Sequence, residues 1–120
     1  MNWKTIRLEL GSTADHPSGS AGRAYLIRLP LDSAGAIDES ALVKQPAQAT
    51  VRRFWPSEAD RTGQVERAER GWLLRCNGGA NRETLSILEP DPLVLGQQVM
   101  ITEPDGTRLP FRVASIRKLG

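Results

Sequence analysis

Apolar and polar residues alternate with a period of two over most of this chain, and the alternating runs are short. Residues 3–10 set Ile6, Leu8 and Leu10 on one side and Thr5, Arg7 and Glu9 on the other, the pattern of a half-buried strand. Arg23 to Leu29 repeats it, with Tyr25, Ile27 and Leu29 on one face. Ala49 to Trp55 is strand-like, and Pro56 ends it. Val65 to Cys76 reads as a hairpin around Glu69-Arg70-Gly71, with Trp72, Leu74 and Cys76 sharing a face. Glu83 to Leu88 predicts a strand with Leu85 and Ile87 inward. Val99 and Ile101, then Phe111 and Val113, flank Asp105-Gly106, a strong hairpin signal.

The breaks between the runs carry turn residues. Residues 11–22 have no apolar periodicity and predict a long, mobile loop. Pro30 and the Asp32-Ser33-Ala34-Gly35 cluster close the second strand. Asp38 to Lys44 suits one or two helical turns with Asp38 as N-cap, and Pro46 stops them. Ser57-Glu58-Ala59-Asp60 suggests a second short helical turn near 57–62. Asn77-Gly78-Gly79-Ala80-Asn81 predicts a turn, and Glu89-Pro90-Asp91-Pro92 denies ladder donors. Gly96 suits a corner or bulge.

Many short strands joined by successive hairpins predict an all-β, mainly antiparallel fold. A small closed or partly open barrel of seven or eight strands is expected, with a two-sheet sandwich as the alternative.

Length and composition narrow the rest. A chain of 120 residues makes one domain. Leu, Ile, Val and Phe number 28, enough to rule out full disorder. No apolar run approaches the roughly 20 residues of a membrane helix, so no membrane partner is expected. Cys76 is the lone cysteine, so no internal disulfide forms. Met1 to Arg7 lacks the apolar stretch of a signal peptide. Both observations point to the cytoplasm.

His16 is the lone histidine. A structural zinc site takes four Cys or His ligands, and this chain has one of each. The 14 acids are scattered, with no D-x-D-x-D-G run. No metal and no cofactor are therefore expected. The nucleophile-elbow, zinc-protease and P-loop motifs are also missing, so no catalytic residue is assigned.

Charge does change the picture. The net charge is +2, but residues 51–82 hold seven arginines against four acids. The bases are 13 Arg and 3 Lys, and Arg is the better fork for phosphate or carboxylate. A GC-rich genome gives the same bias with no function behind it. Within the basic third lies Arg52-Arg53-Phe54-Trp55. Arg neutralises phosphate, and an aromatic offers a stacking platform. In a strand, Arg53 and Trp55 share one face and Arg52 and Phe54 the other. The same geometry also makes a structural cation–π pair that closes a barrel end.

Other candidates are thinner. The loop from His16 to Arg23 is rich in Gly and Ser, and its N–H groups suit an anion cradle as well as a plain connector. Cys76 with His16 has the residue types of a nucleophile and base, but Cys76 reads as a buried small hydrophobe. Glu58 with Asp60, and Glu89 with Asp91, are carboxylate pairs on turns. Of the tryptophans, Trp72 belongs to the core and Trp3 is expected to be exposed; Trp55 fits either place.

The function expected from these residues is a non-enzymatic β-barrel interaction module. Its contact surface would centre on Arg52, Arg53, Phe54 and Trp55. A protein partner is the first expectation, and single-stranded nucleic acid the alternative. A small molecule or anion at the barrel mouth, under the 11–22 loop, is a third. Val94 and Met100 leave room for a homodimer.

Overall fold

Alternation this regular needs a surface with one buried face, and here that surface curls until it closes. The computed structural model describes residues 2–77 and 83–119. Eight antiparallel strands follow one another in chain order: β1 (Trp3–Leu10), β2 (Ser20–Pro30), β3 (Thr50–Phe54), β4 (Arg61–Arg67), β5 (Trp72–Asn77), β6 (Glu83–Leu88), β7 (Gln98–Thr102) and β8 (Arg108–Lys118). Each pairs with the next, and β8 pairs back onto β1, so the sheet is a closed barrel. Closure removes the edges that a meander would otherwise expose.

The inward faces are largely those the alternation marks. Ile6, Leu8, Tyr25, Ile27, Val51, Leu74 and Phe111 are buried in one continuous core. Each such side chain contributes roughly 1.5–3 kcal/mol on burial, so the phase of each strand is firmly held. Trp72 and Cys76 are buried as expected. Gly96 takes a positive φ of 83° in a turn closed by Gln97 N–H to Val94 C=O, and its own N–H bonds Val113 C=O.

β6 departs from the expected phase. Leu85 and Ile87 point outward, while Ser86 and Leu88 point in. The register against β5 decides this: Leu88 lies opposite Trp72 and Ser86 opposite Leu74. Directly opposed residues share a face, so β5, anchored by Trp72 and Leu74, imposes its phase on β6. The inward hydroxyl is also needed, because Ser86 partners Tyr25 across the core.

Three further expectations change. The second strand starts at Ser20 rather than Arg23, so the loop before it shortens to residues 11–19. Helix α1 (Glu39–Lys44) forms as expected, with the Asp38 carboxylate accepting from Ala41 N–H at 3.2 Å. However, the second helical turn lies at Pro46–Gln48 and not near 57–62. There the chain makes a β-turn instead. Pro56 and Ser57 occupy its centre, Ser57 has φ 64°, and Glu58 N–H bonds Trp55 C=O at 3.2 Å. Proline followed by a left-handed residue is the layout of a type II turn, which reverses β3 into β4. The turn expected at 77–81 falls mostly on residues outside those described.

Trp3 is buried, against expectation. It shares a shallow cleft with Ala41, Lys44 and Gln45, so α1 supplies a cover that strand alternation alone does not reveal. α1 and the segment around Leu31 and Ile37 thus close one end of the barrel. An ion pair from Arg67 to Glu39 ties the β4–β5 hairpin to this cap. No helix among the described residues is long and apolar enough to cross a membrane.

Candidate functional site

Strand β3 splits the Arg52-Arg53-Phe54-Trp55 segment between two surfaces. Arg53 and Trp55 turn into the open mouth of the barrel. Arg52 and Phe54 stand on its outer wall.

At the mouth, the Arg53 side chain is 10% exposed and every edge of it is used. Its Nε–H donates to Tyr25 Oη at 3.3 Å, Nη1 to Glu58 Oε1 at 3.3 Å, and Nη2 to Glu103 Oε1 at 3.2 Å. Its guanidinium lies 4.0 Å from the Trp55 ring centroid. Tyr25 has one hydroxyl proton, which it gives to Glu103 Oε2 at 2.5 Å. Ser86 Oγ, 3.0 Å away, must therefore donate to Tyr25. Arg53 fills the second lone pair, so the hydroxyl is fully satisfied. Among the described residues no buried polar side-chain atom lacks a partner.

Burial, followed by the charge of Glu103, pushes the Tyr25 hydroxyl well above the usual tyrosine range. Burial alone would make Arg53 easier to deprotonate; Tyr25 and Glu103 outweigh it and hold the guanidinium charged. Trp55, Tyr25 and Phe111 pack around this network with centroids 5.3–6.5 Å apart. Arg53 and Trp55 thus form a cation–π pair built into the barrel's own packing, at an end that stays open.

A cleft of about 480 Å³ opens over the network. Its walls include Asp15, Arg61, Thr84, Asp105, Thr107 and Leu109.

The thinner candidates are taken up locally. In the 11–19 loop, Thr13 N–H and Gly19 N–H donate to His16 C=O, His16 N–H donates to Thr13 Oγ1, and Gly11 N–H donates to Pro110 C=O. Those donors are consumed, which weakens the anion cradle. Glu58 pairs with Arg53 and Arg61, Asp60 with Arg52, and Glu89 with Arg108. Arg108 holds the Glu89 carboxyl below its usual range.

Cys76 is buried, and that burial pushes its thiol up to about 11. An activated nucleophile needs the opposite shift. The folded thiol holds its proton more tightly than the unfolded one, so the unfolded chain ionises first as pH rises. The resulting stability is full below pH 9 and is lost as pH climbs toward about 11, on the order of 2 kcal/mol in all. Urea unfolding of the wild type against Cys76→Ala tests this. The variant, although weaker at neutral pH, should lose the part of the alkaline decline that begins near pH 9. Parallel curves would rule the thiol out.

The outer wall is the less expected surface. Arg7 lies across β2 from Arg52, with Leu26 between them. Phe54 stands beside both, its ring centroid 5.9 Å from the Arg7 guanidinium and 5.1 Å from that of Arg52. In the neighbouring row Thr5 separates Arg28 of β2 from Arg117 of β8. Arg112 lies opposite Glu9. The wall of β8, β1, β2 and β3 therefore carries five arginines, with Glu9 and Asp60 as the nearby acids. That local excess exceeds the +2 of the whole chain. Among the described residues Arg28 and Arg117 form no ion pair.

Sequence reasoning missed Arg7, Arg28, Arg112 and Arg117. Each sits on the polar face of its own strand, where an arginine is unremarkable. The β1–β2 pairing sets Arg7 and Arg28 on one wall, and barrel closure between β1 and β8 adds Arg112 and Arg117. No family model, curated protein or solved structure matches this chain.

Proposed function

We propose that this protein is a non-enzymatic binding module that holds single-stranded nucleic acid on the outer wall of β8, β1, β2 and β3. The observation that carries this reading is the segregation of arginines from several strands onto that wall, two of them, Arg7 and Arg52, beside the Phe54 ring. Charge of one sign spread over neighbouring strands suits a phosphate backbone. A guanidinium beside the Phe54 ring suits a base, which stacks on aromatic and Arg planes alike. Among the described residues no acidic side chain competes with a ligand for Arg28 or Arg117. Arg53 and Trp55 support the wall from inside and do not need to touch the ligand.

Anisotropy of a labelled mixed-sequence single-stranded oligonucleotide, measured across salt, tests the reading. Four phosphate contacts give a slope of log affinity on log salt of about −3, at roughly −0.7 each. The Arg28→Ala, Arg117→Ala double variant should fold normally and make that slope shallower by about 1.4. Phe54→Ala should weaken binding by roughly 1–3 kcal/mol while keeping the slope. Absence of binding at low salt, or wild-type binding by the double arginine variant, would overturn the proposal and leave an acidic protein partner for the same wall.

A further inference from the structure

The seam between β6 and β7 closes over part of its length. Ile87 and Leu88 pair with Thr102 and Ile101, and Glu89 N–H continues to Met100 C=O at 3.0 Å. Toward the mouth the ladder stops. Glu103 N–H turns back to Thr107 C=O at 2.7 Å, and Gly106 N–H bonds Glu103 C=O. Continuing the register would set Leu85 opposite Pro104, which has no N–H to give.

Since Glu89 N–H points to β7, antiparallel alternation turns the N–H and C=O of Leu85 the same way. Among the described residues no backbone partner lies opposite them. Here the Tyr25 hydroxyl, bonded to Ser86 and Glu103, spans a gap that backbone bonds cross elsewhere.

The two sides of this gap differ. Outside lie Leu85 and Ile87, 44% and 38% exposed, with Leu73 beside Ile87. Inside lies the mouth cleft, where Glu58 and Glu103 are matched by Arg53 and Arg61 while Asp15 and Asp105 have no ion-pair partner among the described residues. The inner side is short of positive charge; the outer side is short of apolar cover.

We propose that the open flank of β6 accepts an extended segment of a partner protein in which basic and apolar residues alternate. Such a strand would exchange backbone hydrogen bonds with Leu85. It would place its apolar side chains against Leu85 and Ile87 and its basic ones toward Asp15 and Asp105. Main-chain bonds give such additions their affinity, and alternate side chains give specificity. This surface is separate from the arginine wall, so the proposal goes beyond the nucleic-acid reading.

The test uses the full chain and a short capped peptide of alternating lysine and valine, with amide exchange at Leu85 as the readout. Binding should slow that amide at least about tenfold, as pairing of an open strand edge protects it. Methylating the valine backbone nitrogens removes the donors that face Leu85 and should abolish the protection. Exchanging lysine for glutamate should do the same. Leu85→Pro removes the N–H at the centre of this flank while sparing the β5 ladder, so this variant should fold and, with no amide at that position to read, should leave the anisotropy of the labelled peptide unchanged. An unchanged Leu85 amide, or equal protection by the methylated or glutamate peptide, would overturn the proposal. So would concentration-dependent protection in the free protein, which would assign the flank to a second copy of this chain.

Discussion

Replacing Arg53 by alanine is expected to lower stability by about 3 kcal/mol, enough to move the urea midpoint by roughly 1–3 M. The loss does not come from a surface ion pair. Arg53 supplies three hydrogen bonds and covers Trp55. Without it Glu103, whose side chain is 6% exposed, keeps a carboxylate in the core with Tyr25 as its remaining donor. A buried charge stripped of its counter-charge is far more costly than the pair was stabilising. The same logic predicts a rescue. Removing the network together, as Tyr25→Phe, Arg53→Met, Ser86→Ala and Glu103→Leu, should recover most of the loss. A cost below about 1 kcal/mol for Arg53→Ala alone would mean that water reaches the network and hydrates the Glu103 carboxylate.

Gly63→Ala should be comparably damaging for an unrelated reason. Gly63 lies in β4 between Val51 of β3 and Cys76 of β5. A Cβ added there would run into the Arg75 carbonyl oxygen and come within 2.7 Å of its carbon. These are backbone atoms of the paired strand, so no rotamer change relieves the contact. β5 must move, and with it the wall that positions Cys76 and the β5–β6 ladder. A loss of roughly 3 kcal/mol or more is expected, beyond the usual overpacking range, because the neighbour cannot give. Gly22→Ala is the control. Its nearest new contacts are 3.8 Å away, and its change should stay within about 0.5 kcal/mol. Melting curves of the two variants decide the matter; similar midpoints would show that β4 and β5 are not so closely apposed.

What could be read from the chain was what depends on neighbours in sequence. Strand positions, the hairpin at Asp105-Gly106, the Asp38 cap and the pairing of Arg53 with Trp55 all follow from local alternation and turn chemistry. The phase of β6 did not follow. Leu85 and Ile87 look like core residues in isolation, and the choice between them and Ser86 and Leu88 is made by register against Trp72. Trp3 looks exposed in the sequence because its cover comes from α1, more than thirty residues away. The candidate site divides in the same manner. Arg52 to Trp55 drew notice because they are contiguous. Glu103, Tyr25 and Ser86 gave no signal, since a tyrosine or serine on an alternating strand is ordinary until its partner across the core is known. Arg112 and Arg117 join the arginine wall only through barrel closure, which is a long-range fact.

That closure also sets an order of events. Lys4 pairs with Lys118, and Leu119 N–H reaches Trp3 C=O at 3.2 Å. β1 is synthesised ahead of every other strand, yet one of its two sides stays unpaired until β8 has been made. Until then Ile6 and Leu8 lack their β8 neighbours, Ile116 and Val113. The other seams join consecutive strands, so this single distant pairing is the slow one to form. For this barrel the vulnerable interval is the wait between its first strand and its last.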